Sequence, residues 1–197
     1  MPLRELLAFR LAHAHARDAV YSLLETERLL GELEEFKLPV YHVRSQAENR
    51  SQYLQRPDLG RTLHEDSSLA LQDSAPASSD VALVLADGLS ATALNQHALP
   101  LLRLLVPRLQ QASFQLAPLT VAEQARVALS DEIGAALHAQ LVLILIGERP
   151  GLSSPDSWVP TSPMVPGPAS PMMHATAFPT SARKAYPTPP RPKSCFY

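Results

Sequence analysis

Cysteine is almost absent from this sequence: Cys195, close to the C-terminal end, is its single thiol. A disulfide framework and a thiolate metal site are therefore excluded. Glycine is scarce, with 7 in 197 residues, and no Gly-x-Gly-x-x-Gly occurs, which argues against an ordinary dinucleotide site. Long apolar runs are missing as well. The longest strongly apolar run, Leu141 to Ile146, is far too short to cross a bilayer. Between Met1 and Val20 the charged residues Arg4, Glu5, Arg10, Arg17 and Asp18 interrupt any apolar region of a secretory signal. Net charge is −2 and no basic stripe is present, so neither nucleic acid nor a membrane is expected as a partner. These absences lead to the expectation of a soluble intracellular protein.

What is present suits one domain with an appendage. The apolar fraction of 46% can supply a core. Residues 1–79 read as an N-terminal helical region with one short strand. Leu3, Leu6, Leu7, Leu11 and Ala14 follow helical spacing, and Val20, Leu23, Leu24 and Leu30 continue an apolar stripe to about Phe36. Val40 to Val43 is β-branched and short, hence a strand. Tyr53 to Gly60 reads as a turn-containing link, and Glu65 to Asp80 as a helix start or loop.

Residues 80–157 change to a β–α–β–α–β pattern. Val81 to Leu85 is an unbroken apolar run, as expected of a strand buried on both faces. Ser90 is placed to cap a helix reaching about Gln111, with interruptions expected at Pro100 and Pro107. Phe114 to Leu119 reads as a second strand. Ser130 to Leu137 reads as a short helix with its acids in the first turn, and Leu141 to Ile146 as a third strand. Strands separated by helices imply an α/β fold with a Rossmann-like parallel sheet. Residues 158–197 differ sharply: ten of the 19 prolines fall there and no acid does. Repeated proline with no apolar periodicity predicts a disordered tail.

Ligands of open α/β sheets bind beyond the carboxyl ends of the strands. Two segments lie there, Ala86 to Ser90 after the first core strand and Gly147 to Asp156 after the last. Gly88, Gly147 and Gly151 permit close backbone approach, while Asp87, Glu148 and Arg149 place polar groups at the rim. Each has a plain structural reading too: Asp87 as a helix cap, Glu148 with Arg149 as a surface pair. His13 and His15 are two apart on a helix, so their side chains diverge. His97 and His138 are lone histidines. Ser90 lacks the Gly-x-Ser-x-Gly elbow of a hydrolase.

The wording of these loops goes further. Val84-Leu-Ala-Asp-Gly-Leu-Ser-Ala-Thr-Ala-Leu-Asn95 and Leu145-Ile-Gly-Glu-Arg-Pro-Gly-Leu152 resemble the DGLS and GERPGL segments of ethanolamine ammonia-lyase small subunits. Arg10 to Val20, Tyr53 to Arg61, and Arg126-Val127 with Asp131-x-Ile133-Gly134 add three more matches in order. The resemblance covers about four fifths of the chain and implies adenosylcobalamin as cofactor, bound against a large TIM-barrel subunit that holds ethanolamine. It implies a deoxyadenosyl radical that starts the conversion of ethanolamine to acetaldehyde and ammonia. Catalytic residues would lie outside this chain. Val127 and Glu148 match cobalamin-contact positions, Val127 by apolar or backbone contact and Glu148 as an acceptor for corrin amides. A cytoplasmic setting is implied, with packaging in a bacterial microcompartment left open. A stand-alone nucleotide-binding or scaffold module, and a non-functional remnant, are the alternatives.

The same resemblance reinterprets the tail. The family continues into an Asn-Cys-Ile-Ser-Asn-Ile-Arg-Pro-Glu-Gly-Leu segment that is missing here. Shifting the codons of Met172 to Tyr186 by one base gives Asp-Ala and then permits that motif under suitable synonymous choices. A frameshift near Ser157 is therefore expected, with loss of a cobalamin-contact cysteine and impaired function. A natural proline-rich binding tail is the competing reading.

Overall fold

The computed structural model of the chain describes residues 3–147 and 158–161. Its centre is a five-stranded sheet in the order β1-β3-β2-β4-β5, formed by Val40–Arg44, Ser79–Ala86 (β2), Leu119–Glu123 (β3), Ala139–Gly147 (β4) and Trp158–Thr161 (β5). The first four strands are mutually parallel and β5 runs antiparallel to β4. The expected parallel α/β sheet is thus present, and the short strand of the N-terminal region joins it as an edge.

Alternation along β2 explains the unbroken apolar run. Val81, Leu83 and Leu85 point into one core, where Leu33 of α2 (Thr26–Leu33) and Leu94, Ala98, Leu102 and Val106 of α5 (Ala91–Gln111) cover them. Ala82, Val84 and Ala86 point into the other, under Leu71 of α4 (Glu65–Asp73) and Leu129 and Ile133 of α6 (Leu129–Ala136). Both faces are covered, so no polar side chain is needed on either.

Several local expectations are corrected. The helix α5 runs unbroken through Pro100 and Pro107. The two prolines are seven residues apart, hence on one face, and both are exposed. The carbonyls they leave without an amide donor, those of Gln96 and Arg103, belong to exposed residues as well. The second core strand begins at Leu119, not at Phe114. Ser113 adopts a positive φ of 64°, Leu116 makes only an isolated bridge to Val81, and Pro118 has no N–H to donate. The link around Tyr53 contains a helix, α3 (Arg50–Gln55), whose N-cap Asn49 accepts from the Gln52 N–H at 3.0 Å. The N-terminal helical region divides into α1 (Leu3–Val20) and α2. Residues 158–161, expected to begin a disordered tail, form β5 instead, because the outer edge of β4 offers free ladder positions. Pro160 fits there, since prolines are tolerated on edge strands. Residues 162–197 lie outside the described residues.

Candidate functional site at the carboxyl rim of the sheet

The chain leaves β2 for α5 on one face and leaves β3 for α6 on the other. Neighbouring strands whose helices diverge in this way open a crevice between their carboxyl ends. Asp87, the residue directly after β2, lies at that point. Its carboxylate accepts the N–H of Gln124 and of Ala125, each at 3.0 Å. Asp87 therefore does not cap α5; it fixes the first turn of the chain beyond β3, where Gln124 adopts φ 53°. Ser90 occupies the N-cap position of α5, yet its buried hydroxyl makes no bond to the helix.

Arg50, at the start of α3, reaches the same place. Its Nη1 lies 3.6 Å from Asp87 Oδ2 and donates to the Gly88 carbonyl at 2.8 Å, while its Nε donates to the Val20 carbonyl at 2.8 Å. The side chains of Arg50 and Asp87 are 9% and 6% exposed. Burial pushes the Asp87 acid up to about 6, opposed by the Ala125 amide, the Arg50 charge and the Gln124 amide. Tyr53 lies beneath, with the guanidinium carbons of Arg50 and Arg126 at 4.8 and 4.2 Å from its ring centre. The Tyr53 hydroxyl donates to the Ala125 carbonyl at 3.1 Å, and burial first, then the Asp87 charge, drives its ionisation far upward. Gly60 is needed because an added Cβ would stand 2.9 Å from both Tyr53 and Arg126.

Gly88 and Gly147 permit the close backbone approach expected of the rim glycines. Gly88 has φ 56°, and a Cβ there would fall 2.1 Å from the Gly147 carbonyl oxygen. Leu89 N–H donates to that same oxygen at 2.8 Å. The ends of β2 and β4 are stitched backbone to backbone.

Val127 stands three residues beyond Gln124 and is 39% exposed, with its carbonyl accepting the Ser130 hydroxyl at 2.6 Å. Glu148 and Arg149, with Gly151, lie outside the described residues. His13 lies beside Phe9 on α1, and His138 Nδ1 is 3.2 Å from the Pro76 carbonyl, far from the rim. No group of three or more His, Cys, Asp or Glu able to hold a metal occurs among the described residues. Nor is any described helix long and apolar enough to cross a membrane. In the sequence Arg50 carries no pattern and Tyr53 stands at the start of a turn-containing link; the Asn49 cap is the available signal.

The family model for the ethanolamine ammonia-lyase light chain (EutC) matches residues 1–159. The chain belongs to the ethanolamine ammonia-lyase light-chain family. The ethanolamine ammonia-lyase small subunit of Azotobacter vinelandii is 49% identical over 160 residues, which cover 80% of this chain and 59% of that protein. The small subunit of Ralstonia nicotianae is 48% identical over the same shares. That of Bradyrhizobium diazoefficiens is 49% identical over 158 residues. The chain spans about three fifths of the length of the curated relatives it matches. The matched portion holds the four parallel strands and the described residues of the rim, and it ends within β5.

Proposed function

We propose that this chain is the small subunit of an adenosylcobalamin-dependent ethanolamine ammonia-lyase and works only with a large subunit. The observation that carries this reading is the family match running through both rim segments, after β2 and after β4. The rim suits a large cofactor. Val127 offers an open apolar side chain at the end of a turn that Asp87 holds rigid, a fit for the edge of a corrin ring. The buried Gln124 Oε1, left without a partner, marks the same turn as unfinished in the chain alone. Val127 and Glu148 would hold the cofactor, Glu148 as an acceptor for corrin amides. When bound, the cofactor supplies the radical chemistry that turns ethanolamine into acetaldehyde and ammonia. This chain's own part is to bind, orient and shield.

The proposal extends to the tail. The shifted-frame motif supports a frameshift near Ser157, which removes a contact cysteine and lowers turnover. The test is co-expression of this chain, and of a version with the frame restored, each with a large subunit, followed by measurement of cobalamin-dependent acetaldehyde formation. Turnover only with the restored frame is expected. Equal turnover refutes the impairment, and none from either refutes the lyase reading.

A further inference from the structure

Gln124 carries two local costs that the turn after β3 does not require. It follows β3 directly with φ 53°, a left-handed conformation that glycine adopts without strain and glutamine does not. The other described non-glycine residues at positive φ, Lys37, Ser113 and His138, each close a helical segment, where that conformation is an ordinary ending. Gln124 closes no helix. Its Oε1 is also buried without a hydrogen-bond partner, and no other described residue combines such an atom with positive φ.

The side chain does not hold the turn. The Gln124 N–H donates to Asp87, and its carbonyl accepts the buried Ser45 hydroxyl at 2.7 Å. The residues after it are held from elsewhere as well. Ala125 is fixed through Asp87 and the Tyr53 hydroxyl, and the Arg126 N–H donates to the Gly60 carbonyl at 2.8 Å. A glycine at 124 would form the same turn with neither the strain nor the unsatisfied oxygen. Local rules broken with no gain inside the chain point to a partner outside it.

We infer that Gln124 is a further cofactor-holding residue, its side-chain carbonyl accepting an N–H from a corrin amide. The inference rests on the lyase-subunit reading and adds a polar contact to the apolar one of Val127, three residues on. An acceptor without a donor calls for an N–H, which the amides at a corrin edge supply. The backbone of the turn is already fixed from Asp87, Ser45, Tyr53 and Gly60, so little is left to order when the contact forms.

The experiment pairs stability with cofactor affinity, because a purely structural Gln124 would move the two together. Thermal melts of the full chain are combined with equilibrium dialysis of adenosylcobalamin against its complex with a relative's large subunit. Gln124→Gly is expected to melt about 2–4 °C higher as the strain is relieved. It is expected to bind the cofactor about tenfold more weakly, the loss of one hydrogen bond. Gln124→Met, similar in shape but without the acceptor, is expected to lose the same affinity and to melt no lower than wild type. Wild-type affinity in both variants overturns the contact and leaves the lyase reading standing. Affinity lost in Gln124→Gly alone shows a side chain that fills space, and lower melting with lower affinity in both shows one that holds the fold; each overturns the contact. Where the wild-type complex binds no cofactor, the frame-restored chain takes its place. No binding by either makes the contact and the lyase-subunit reading fall together.

Discussion

Arg50 Nη1 stands 3.6 Å from the Asp87 carboxylate and 2.8 Å from the Gly88 carbonyl, so one buried cation grips the residue that orders the β3–α6 turn and the residue after it. Removing the carboxylate strands that cation and frees two amides. Asp87→Ala should cost about 3–5 kcal/mol, the range for breaking a buried pair from one side. Urea unfolding of the two proteins checks this, and a loss below about 1 kcal/mol would contradict it.

The same acid carries a pH signature. Its folded value of about 6 lies above the ordinary 3.8, so the native state holds the proton more tightly than the unfolded chain. The contribution is fully present below 3.8 and is lost as pH rises through about 6. The stability of wild type relative to Asp87→Asn should therefore fall between pH 4 and 6 and level off by pH 7. A flat difference across that window would rule out the assignment.

A second titrating pair lies on the partly exposed side of the rim. His42 Nε2 is 3.2 Å from Glu123, which also accepts from the Thr26 hydroxyl. The hydrogen bond to Glu123 raises His42, and the bond to His42 lowers Glu123. The Glu123 contribution is present above its ordinary 4.5 and lost as pH falls through the lowered value. The His42 contribution is present below 6.5 and lost as pH rises through the raised one. Their pairing is strongest between about pH 5 and 6.5, and at this exposure is worth under about 1 kcal/mol. An NMR titration of His42 should shift downward in the Glu123→Gln variant.

The backbone stitch predicts a sharp intolerance. Gly88→Ala sets a Cβ against the Gly147 carbonyl at positive φ, so the strand ends must part. A loss of about 3 kcal/mol or more is expected from thermal melts. Gly31, around which no atom lies within 4 Å of an added Cβ, should accept alanine without loss.

Helix α5 predicts a gain. Pro100 is exposed and its helix is intact on both sides, so Pro100→Ala restores a donor for the Gln96 carbonyl. About 1–2 kcal/mol of added stability is expected, the helix-interior penalty of proline less its restriction of the unfolded chain. A drop in melting temperature would show that proline shapes the helix in a way its surroundings require.

The elements read correctly from the sequence are those whose signal is local. The runs Val81 to Leu85 and Leu141 to Ile146 are apolar on both faces because helices cover both, and the acids of α6 sit where its first-turn amides attract them. The misread ones depend on distant partners. Whether Pro100 breaks a helix is decided by which way its face points, and the start of β3 by what lies across from it on β2. At the rim, Asp87 was visible as an unusual residue, but its partners lie 37 and 38 residues away along the chain. Arg50 carries no pattern of its own; only the fold makes it the counter-charge.

That placement means the halves of the chain cannot be told apart as independent bodies. Arg50 and β1 come from before residue 79, while Asp87 and β3 come from after it. A fragment beginning at Asp80 would carry a carboxylate into its interior with no cation to meet it. It would also present β3 as a bare outer strand, open to pairing with whatever chain came next.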